Sequence, residues 1–486
     1  MEHFVIWGKG MVFRKRFFIW VVSVFIFLFF TGSFIKGAWA LTAEEEKKLG
    51  KKILLEMEGK IEIVRDLTLQ AFVDRVGRSI LAQVGSAPFE FKFYIIKGLD
   101  PNAYAIPGGY IFLTTGLIVL AENEHEIAGV ISHEIAHVKA RHIAQMIERS
   151  KRLNIATLAA MVAGILAGAG GGGKASEAIV ATAMATAEAL SLKYTRENEV
   201  DADQYSVQYM IKTGYDPNGI ITFLNKINKI SLTSAPKIPT YLSTHPALEN
   251  RMSMVEYLLQ YVQKPVGPFK RVGNLKKIQA KAFVEEREPH GAVTHFQFLM
   301  DANPQDLNGY YGLGLAYRKM GRLDKSMEVF QNTHLLAPED IDILRELGVT
   351  YLFLGKLDQA IENFETIRSA SLSGTNQNSD LASLYYLGRG YQEKGDFANA
   401  LPIFQKIQGE MPDFIDIYFN LGSVYGRVGQ KGLSHYYFGK HFKLRGDNNN
   451  ALLHLRTALE WLEKGSLERE EIQQEIKELT QAKQKK

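Results

Sequence analysis

Apolar residues recur with helical spacing along most of the chain and alternate in one short region. Residues 43–83 and Ile127–Glu148 have the spacing of amphipathic helices. Between them, Phe89–Ile96 alternates and predicts a strand, and a Pro-Gly-Gly turn at 107–109 precedes the β-rich run Tyr110–Leu113. The pattern therefore predicts a mostly α-helical protein with a small β-sheet in its N-terminal half.

The first 40 residues have the pattern of an export signal. A basic cluster, Arg14-Lys15-Arg16, precedes the apolar run Phe17–Phe30, and small residues flank Trp39 at the positions read by a signal peptidase. We expect cleavage after Ala40 and a protein whose body lies outside the cytoplasm. The alternative is an uncleaved membrane anchor, because Phe17–Ile35 is nearly long enough to span a bilayer.

A second apolar stretch, Ile155–Ala169, is rich in Ala and Gly and continues into Gly170–Gly173. It is short for a membrane span. Two packed core helices joined by a glycine linker are one interpretation, and peripheral contact with a membrane is the other.

The C-terminal half contains a repeated pattern. Leu-Gly-x-x-Tyr recurs, followed downstream by a Phe, mostly at intervals of 34 residues, which is the period of tetratricopeptide repeats. In such a repeat, Gly allows two helices to approach and the aromatic ring fills the space beside it. The four repeats lie near residues 307–340, 341–374, 381–414 and 415–448. Arrays of this kind bind extended peptides or proteins in a concave groove; a structural spacer is the alternative.

Charge and cysteine content narrow the possible functions. The net charge is +4, but the first 40 residues hold five cations and one anion, so the remainder is balanced. Nucleic-acid binding, which needs a basic surplus, is not expected. The chain has no cysteine, which excludes disulfides, cysteine catalysis and thiolate metal sites. Any metal ligands must therefore come from His, Asp and Glu.

The segment His133-Glu134-Ile135-Ala136-His137 carries the candidate chemistry. Two histidines four residues apart lie on one face of a helix and can reach one metal ion. The Glu beside the first His can hold the attacking water, as in zinc peptidases.

The third ligand is expected on a later helix, where an acidic cluster spans residues 197–203. Glu199 and Asp203 are one turn apart and share a face, while Glu197 and Asp201 point elsewhere. We therefore predict Glu199 as the ligand and Asp203 as an acceptor for a metal-bound His. Taken without the His-Glu-x-x-His segment, the cluster would be a solvated helix face.

These residues resemble the Ste24/HtpX-type zinc metallopeptidases. The resemblance covers residues 43 to about 260. It includes the segments His133–His137, Glu199–Asp203, Ser243–Pro246 and Asn102–Ile111. The membrane-embedded members carry several spanning helices that this chain lacks, so processing of prenylated peptides is not expected.

The resemblance implies one Zn²⁺ per chain on His133, His137 and Glu199, with Glu134 as the general base. It implies a supporting or proton-donor role for Asp203. It also places His245 near the metal, as a fourth ligand in a closed state or as a transition-state stabiliser.

The predicted organisation is a helical zinc metallopeptidase domain with a small β-sheet, followed by an α-solenoid of tetratricopeptide repeats. The resemblance implies an exported, periplasmic endopeptidase that acts on unfolded or misassembled proteins, with repeats that bind the outer-membrane assembly machinery. The alternatives are a chaperone-like binding module with a silent or regulated peptidase and a zinc hydrolase of other substrates. The predicted boundaries are 1–40 for the signal peptide, 41–262 for the peptidase, 263–270 for a linker, 271–462 for the repeats and 463–486 for a charged tail.

Overall fold

A computed structural model of the protein describes most of the chain after the predicted signal peptide. The signal peptide, the Ile155–Ala169 stretch and linker residues 263–268 lie outside the described residues. The described ranges are 41–58, 61–149, 194–233, 240–261, 269–270, 275–373 and 380–484.

The single helix expected over residues 43–83 is in fact two helices, α1 (Ala43–Glu58) and α2 (Leu67–Val84). Between them the chain is extended, and the Val64 amide donates to the Ile95 carbonyl at 2.8 Å. Asp66 then caps α2 by accepting from the Leu69 amide at 2.9 Å. The helical spacing of apolar residues on both sides concealed this break.

The sheet consists of β1 (Lys92–Ile96), β2 (Ala103–Ile106) and β3 (Tyr110–Thr114) in the order β1-β3-β2. The central strand β3 is parallel to β1 and antiparallel to β2. The predicted turn connects β2 to β3, and Gly108 and Gly109 have φ values of 84° and 93°, which favour glycine. The strand that includes Tyr110–Leu113 is therefore no free edge, and β2 forms the outer edge on that side.

The helix α4 (Glu124–Lys139) lies at the centre of the N-terminal half. Nearly all of its residues are buried, so it is surrounded by other elements. The helix predicted over Ile127–Glu148 is interrupted at Arg141, which has a φ of 57°. The surrounding helices are α3 (Thr115–Leu120), α5 (His142–Arg149), α6 (Arg196–Thr213), α7 (Asn218–Thr233), α8 (Thr240–Thr244) and α9 (Leu248–Tyr261). Across the described ranges, none of the helices combines the length and apolar character that a membrane crossing requires.

The C-terminal half is a series of helical hairpins, as the repeat pattern predicts. Two further helices precede the four predicted repeats, and both pack against the first helix of the first repeat. The helices are α10 (Lys276–Glu286), α11 (Pro289–Ala302), α12 (Leu307–Lys319), α13 (Leu323–Leu336), α14 (Ile341–Phe353), α15 (Leu357–Ser373), α16 (Leu381–Lys394), α17 (Phe397–Glu410), α18 (Ile415–Arg427), α19 (Lys431–Leu444), α20 (Asn448–Trp461) and α21 (Leu467–Gln484).

Each repeat glycine faces the aromatic ring of its own hairpin. A Cβ at Gly314 would lie 2.5 Å from the Phe330 ring, and a Cβ at Gly348 would lie 2.9 Å from the Phe364 ring. The corresponding pairs in the next two repeats are Gly388 with Phe404 and Gly422 with Phe438. The close approach predicted from the repeated motif is therefore present in all four repeats.

A buried ionic network joins the two halves of the protein. Lys281 of α10 lies 2.9 Å from Asp66 at the start of α2 and 2.8 Å from Glu346 of α14. Arg318 of α12 also pairs with Glu346. Burial opposes the ionisation of Glu346, but Lys281 and the neighbouring arginines hold its pKa far below the usual range. The first helices of the repeats are thus partly covered by α2 and α10.

Most of the charged tail predicted over residues 463–486 forms the helix α21. Its apolar residues Ile472 and Leu479 are buried in a small core shared with α19 and α20. Lys443 of α19 pairs with Glu475 of α21 at 3.0 Å. Charged residues dominate this segment, so its composition gives little sign of the apolar stripe by which α21 packs.

Candidate metal centre

The helix α4 brings His133, Glu134 and His137 to one buried site. Asn123 caps the helix by accepting from the Glu126 amide at 3.2 Å. Two turns later, the Nε2 atoms of His133 and His137 lie 2.9 Å apart. Both rings are at most 2% exposed. The spacing in the sequence therefore places both imidazoles on one face, directed at a common point.

The helix α6 adds Glu199 from the opposite side. Thr195 and Asn198 form a capping box, which starts the helix immediately before this carboxylate. Glu199 Oε1 lies 3.4 Å from His137 Nε2, and Glu199 Oε2 lies 3.6 Å from His133 Nε2. The two other acids of the cluster, at 197 and 201, are exposed. Helical phase thus separates the buried acids from the solvated ones.

His245 lies just after α8 and enters the same site. Its Nδ1 atom is 3.1 Å from Glu199 Oε1 and 3.4 Å from His133 Nε2. The side chain is fully buried. The structure therefore places His245 beside the three residues expected to bind the metal.

These four side chains have the donor set and the spacing of a tetrahedral metal site. One ligand atom from each of His133, His137, Glu199 and His245 can be chosen so that all lie within 4.8 Å of one another. Metal bonds of about 2.0–2.1 Å imply tetrahedral edges of roughly 3.3 Å. The observed separations of 2.9–3.4 Å between the ring nitrogens and Glu199 Oε1 approach that value. Imidazole nitrogen and carboxylate oxygen are suitable ligands for zinc.

Asp203 and Arg251 form a second layer around His133. Asp203 Oδ1 lies 2.9 Å from His133 Nδ1, on the ring edge opposite the metal-facing nitrogen. Arg251 of α9 donates two hydrogen bonds of 2.8 Å to the Asp203 carboxylate and lies 2.9 Å from Glu199 Oε2. Burial raises the pKa of Asp203, but Arg251 outweighs it and lowers the pKa below its usual range. An ionised Asp203 is an acceptor for His133, which favours the supporting role over that of a proton donor.

Glu134 has the environment of a general base. Both of its carboxylate oxygens are buried and have no hydrogen-bond partner among the described residues, and His245 Nε2 lies 3.3 Å from Oε1. Burial raises the pKa of Glu134 above its ordinary value. A raised pKa improves proton transfer near neutral pH.

The electrostatics of the two histidines of α4 differ. Burial, together with His133, lowers the pKa of His137 well below its ordinary value. For His133, burial and Arg251 act in the same direction, but Asp203 and Glu199 outweigh them and raise the pKa to about 9. His137 is therefore neutral and ready to bind a metal. The carboxylates of Asp203 and Glu199 instead favour the protonated form of His133.

Two residues of the site were missed in the sequence, Arg251 and Tyr194. The Tyr194 ring stacks on His137 with the ring centres 3.8 Å apart, and its buried hydroxyl has no partner among the described residues. Arg251 is the largest fully buried side chain of the described protein. Arginines are common in amphipathic helices, and tyrosines are common before the capping residue of a helix. A single sequence therefore does not distinguish Arg251 or Tyr194 as a residue of the site.

Comparison with known proteins agrees with this geometry. The model of peptidase family M48 matches residues 67–259, and tetratricopeptide repeat models match residues 279–332 and 382–413. A putative beta-barrel assembly-enhancing protease of Vibrio cholerae is 32% identical over 213 residues, which are 44% of this chain and 44% of that protein. The beta-barrel assembly-enhancing protease of Escherichia coli K12 is 28% identical over 44% of this chain and 43% of its own length.

A more distant relative is the mitochondrial metalloendopeptidase OMA1 of Schizosaccharomyces pombe, 27% identical over 40% of this chain and 53% of its own. The match spans less than half the length of the two bacterial relatives. The resemblance noted in the motifs is confirmed. The chain contains a peptidase family M48 domain over residues 67–259, followed by tetratricopeptide repeats.

Proposed function

We propose that the protein is a zinc-dependent endopeptidase with one Zn²⁺ per chain, held by His133, His137 and Glu199. The observation that carries this proposal is the buried convergence of three donor atoms, with the buried Glu134 carboxylate beside them. Zinc bound there would polarise a peptide carbonyl and acidify water. Glu134 would accept the proton of the attacking water and deliver it to the leaving amine. Asp203 would hold the His133 ring through its Nδ1 atom.

An extended substrate would pair with the outer edge of β2. This strand is hydrogen-bonded to β3 on one side, and it packs against the helix that carries Glu134. Addition of a peptide strand at a sheet edge uses main-chain hydrogen bonds and so accepts many sequences. Folded proteins rarely offer such a strand, so unfolded or misassembled chains are the expected substrates.

His245 supports a regulated peptidase. Its Nδ1 atom lies 3.1 Å from Glu199 Oε1 and 3.4 Å from His133 Nε2, so it could serve as a fourth ligand in place of the water that a catalytic zinc site needs. In this arrangement the site is closed, and His245 must move before substrate binds. The same observation favours the second candidate, a chaperone-like binding module whose peptidase is mostly silent.

The cellular role we propose combines export with quality control of envelope proteins. A signal peptide over residues 1–40, cleaved after Ala40, would place the protein in the periplasm. The names of the bacterial relatives refer to beta-barrel assembly, so substrates would be misfolded outer-membrane proteins and the repeats would contact their assembly machinery. Because α2 and α10 cover part of the first-helix face of the repeats, such partners would bind the remaining surface.

The test compares Glu134→Gln with Glu197→Gln. Glu197 is an exposed acid in the first turn of α6, the helix that carries Glu199. Both variants should bind one zinc per chain, as measured by metal analysis after gel filtration. Only Glu134→Gln should lose cleavage of an unfolded protein such as casein, by a factor of at least about 10². Cleavage retained by Glu134→Gln, or a wild-type protein that binds no zinc, would refute the proposal. Wild-type zinc binding without cleavage, combined with suppression of aggregation, would instead support the chaperone-like module.

A further inference from the structure

The active-site helix ends in an unusual turn. Arg141, between α4 and α5, has a φ of 57°, in the left-handed region that non-glycine residues rarely adopt. Such a conformation costs of order 1–3 kcal/mol and persists only where the surroundings hold it. The turn lies four residues after His137, so it sets the direction in which the chain leaves the metal centre.

The side chain of Arg141 is anchored to the N-terminal helix. Its guanidinium pairs with Glu46 of α1 and donates to the Leu41 carbonyl. Glu46 is only 3% exposed, although it lies in an otherwise charged and solvated first turn. A carboxylate can stay ionised in such a buried position only when an oppositely charged partner offsets the free-energy cost of its desolvation. The contact therefore connects α1 to the end of the active-site helix.

The strained turn brings His142 against His137. The two Nδ1 atoms lie 3.0 Å apart, the rings are nearly perpendicular at 73°, and His142 is 2% exposed. His137 directs its Nε2 atom at the proposed metal centre. A neutral His137 ring that binds a metal through Nε2 carries its proton on Nδ1, where His142 Nδ1 can accept it. His142 is therefore the acceptor that fixes the tautomer and the plane of the His137 ring.

We propose that His142 is a positioning residue for the metal ligand His137, and that the Arg141–Glu46 ion pair holds it in place. The N-terminal helix thereby contributes to metal affinity without touching the metal. This proposal rests on the proposed metal site. The two histidine ligands are oriented differently, since Asp203 provides a carboxylate oxygen for His133 whereas His142 provides a ring nitrogen for His137.

The test uses His142→Leu and His142→Asn in the full chain. The Asn side chain can place an amide oxygen where His142 Nδ1 lies, so it preserves the acceptor, whereas Leu fills the space without one. Zinc affinity is measured by competition with a chromogenic chelator, which does not depend on catalysis. His142→Leu should lower the affinity about 10–100-fold, the usual cost of losing an orienting partner, and His142→Asn should stay within about threefold of the wild type.

Glu46→Gln tests the anchor, with Glu44→Gln as its control, because Glu44 is exposed on the same helix turn. Glu46→Gln should weaken zinc binding by roughly three- to tenfold. Glu44→Gln should leave the affinity unchanged. If His142→Leu does not fold, the zinc affinities of Glu46→Gln, Glu44→Gln and His142→Asn still test the positioning role.

The possible outcomes separate the two proposals. A wild-type protein that binds no zinc refutes the metal site itself. Wild-type zinc binding that His133→Ala abolishes, together with unchanged affinity in His142→Leu and Glu46→Gln, overturns only the positioning role. An affinity in His142→Asn as low as that of His142→Leu would mean that the ring acts by packing, which also overturns it.

Discussion

Arg251 holds Asp203 with two hydrogen bonds of 2.8 Å and at the same time lies 2.9 Å from Glu199. One guanidinium therefore neutralises a proposed metal ligand and the residue that orients another. Arginine can do this because its planar fork has donors on two edges. Lysine has the same charge but a single nitrogen, so it cannot reproduce the three contacts that Arg251 makes through three nitrogens.

We expect Arg251→Lys to lower zinc affinity about tenfold and to destabilise the fold by on the order of 2 kcal/mol, because one buried carboxylate loses its partner. Chelator competition and urea unfolding measure the two effects. Arg368→Lys is the control, since Arg368 forms an exposed pair with Glu365. Equal behaviour of the two variants would contradict the bridging role of Arg251.

His245→Ala separates the two roles that the family resemblance implies for this residue. If His245 closes the site, its removal frees the fourth position and should raise the cleavage rate for unfolded casein by about tenfold, because the competent state is no longer a minor population. If His245 stabilises the transition state, the rate should fall instead. The double variant His245→Ala, Glu134→Gln should be inactive in either case, which excludes a contaminating protease.

The site could be predicted from sequence where its geometry follows from helical phase. Two pairs of site residues are each four positions apart in the sequence, His133 with His137 and Glu199 with Asp203. Because four residues are about one turn of a helix, the two members of each pair lie on the same helix face. Arg251 and His142 could not be identified in this way. Their roles depend on how α9 packs against α6, and on a left-handed residue that no periodicity indicates.

The fold shows the same distinction. The helical domain, the small sheet and the repeats are confirmed, because each leaves a periodic signal in the chain. The central position of β3 was not predictable, since strand order depends on pairing between distant segments. The break before α2 did have a local signal, the capping residue Asp66, which the continuous apolar spacing obscured.

Glu346→Gln tests the ionic network between the peptidase and the repeats. Glutamine has nearly the same shape but carries no charge, so Arg318 loses its partner and Lys281 keeps only Asp66. Breaking a buried ion pair in this way costs on the order of 3–5 kcal/mol. Because the loss lies at the boundary between the two halves, calorimetry should show two separated unfolding transitions or a lowered Tm. Glu362→Gln, on the exposed face of α15, should change stability by less than about 0.5 kcal/mol. A single unshifted transition in Glu346→Gln would show that the network does not couple the halves.

The repeat glycines predict two substitutions of opposite sign. Gly314→Ala places a methyl group 2.5 Å from the Phe330 ring and should destabilise the fold by about 1–3 kcal/mol through overpacking. Gly409 lies in α17 with nothing within 4 Å of its Cβ position, so Gly409→Ala should stabilise the helix by about 0.5–1 kcal/mol. Urea unfolding of the two variants measures both effects. Stabilisation by Gly314→Ala would refute the close approach of the two helices.

Asp74 predicts a pH dependence of stability. This side chain lines a cavity of about 320 Å³ between the peptidase and the repeats, and burial raises its pKa to about 6. The folded state therefore keeps a proton on Asp74 that the unfolded state loses near pH 4, so the contribution of this residue to stability falls between about pH 4 and 6. Asparagine mimics the protonated acid. It can also still accept the hydrogen bond that Gln70 donates at 3.1 Å.

We accordingly expect Asp74→Asn to stabilise the protein at pH 7.5 by about 2 kcal/mol. This value is smaller than the full difference between the folded and unfolded pKa would give, because the side chain is partly exposed. At about pH 3, below the ordinary pKa of an aspartate, the gain should nearly vanish, because both states of the wild type then retain the proton. Urea unfolding at the two pH values measures the difference, and exposed Asp301→Asn controls for the general loss of a charge. An equal gain at both pH values would indicate that Asp74 acts through packing, since only a titrating carboxylate loses its penalty in acid.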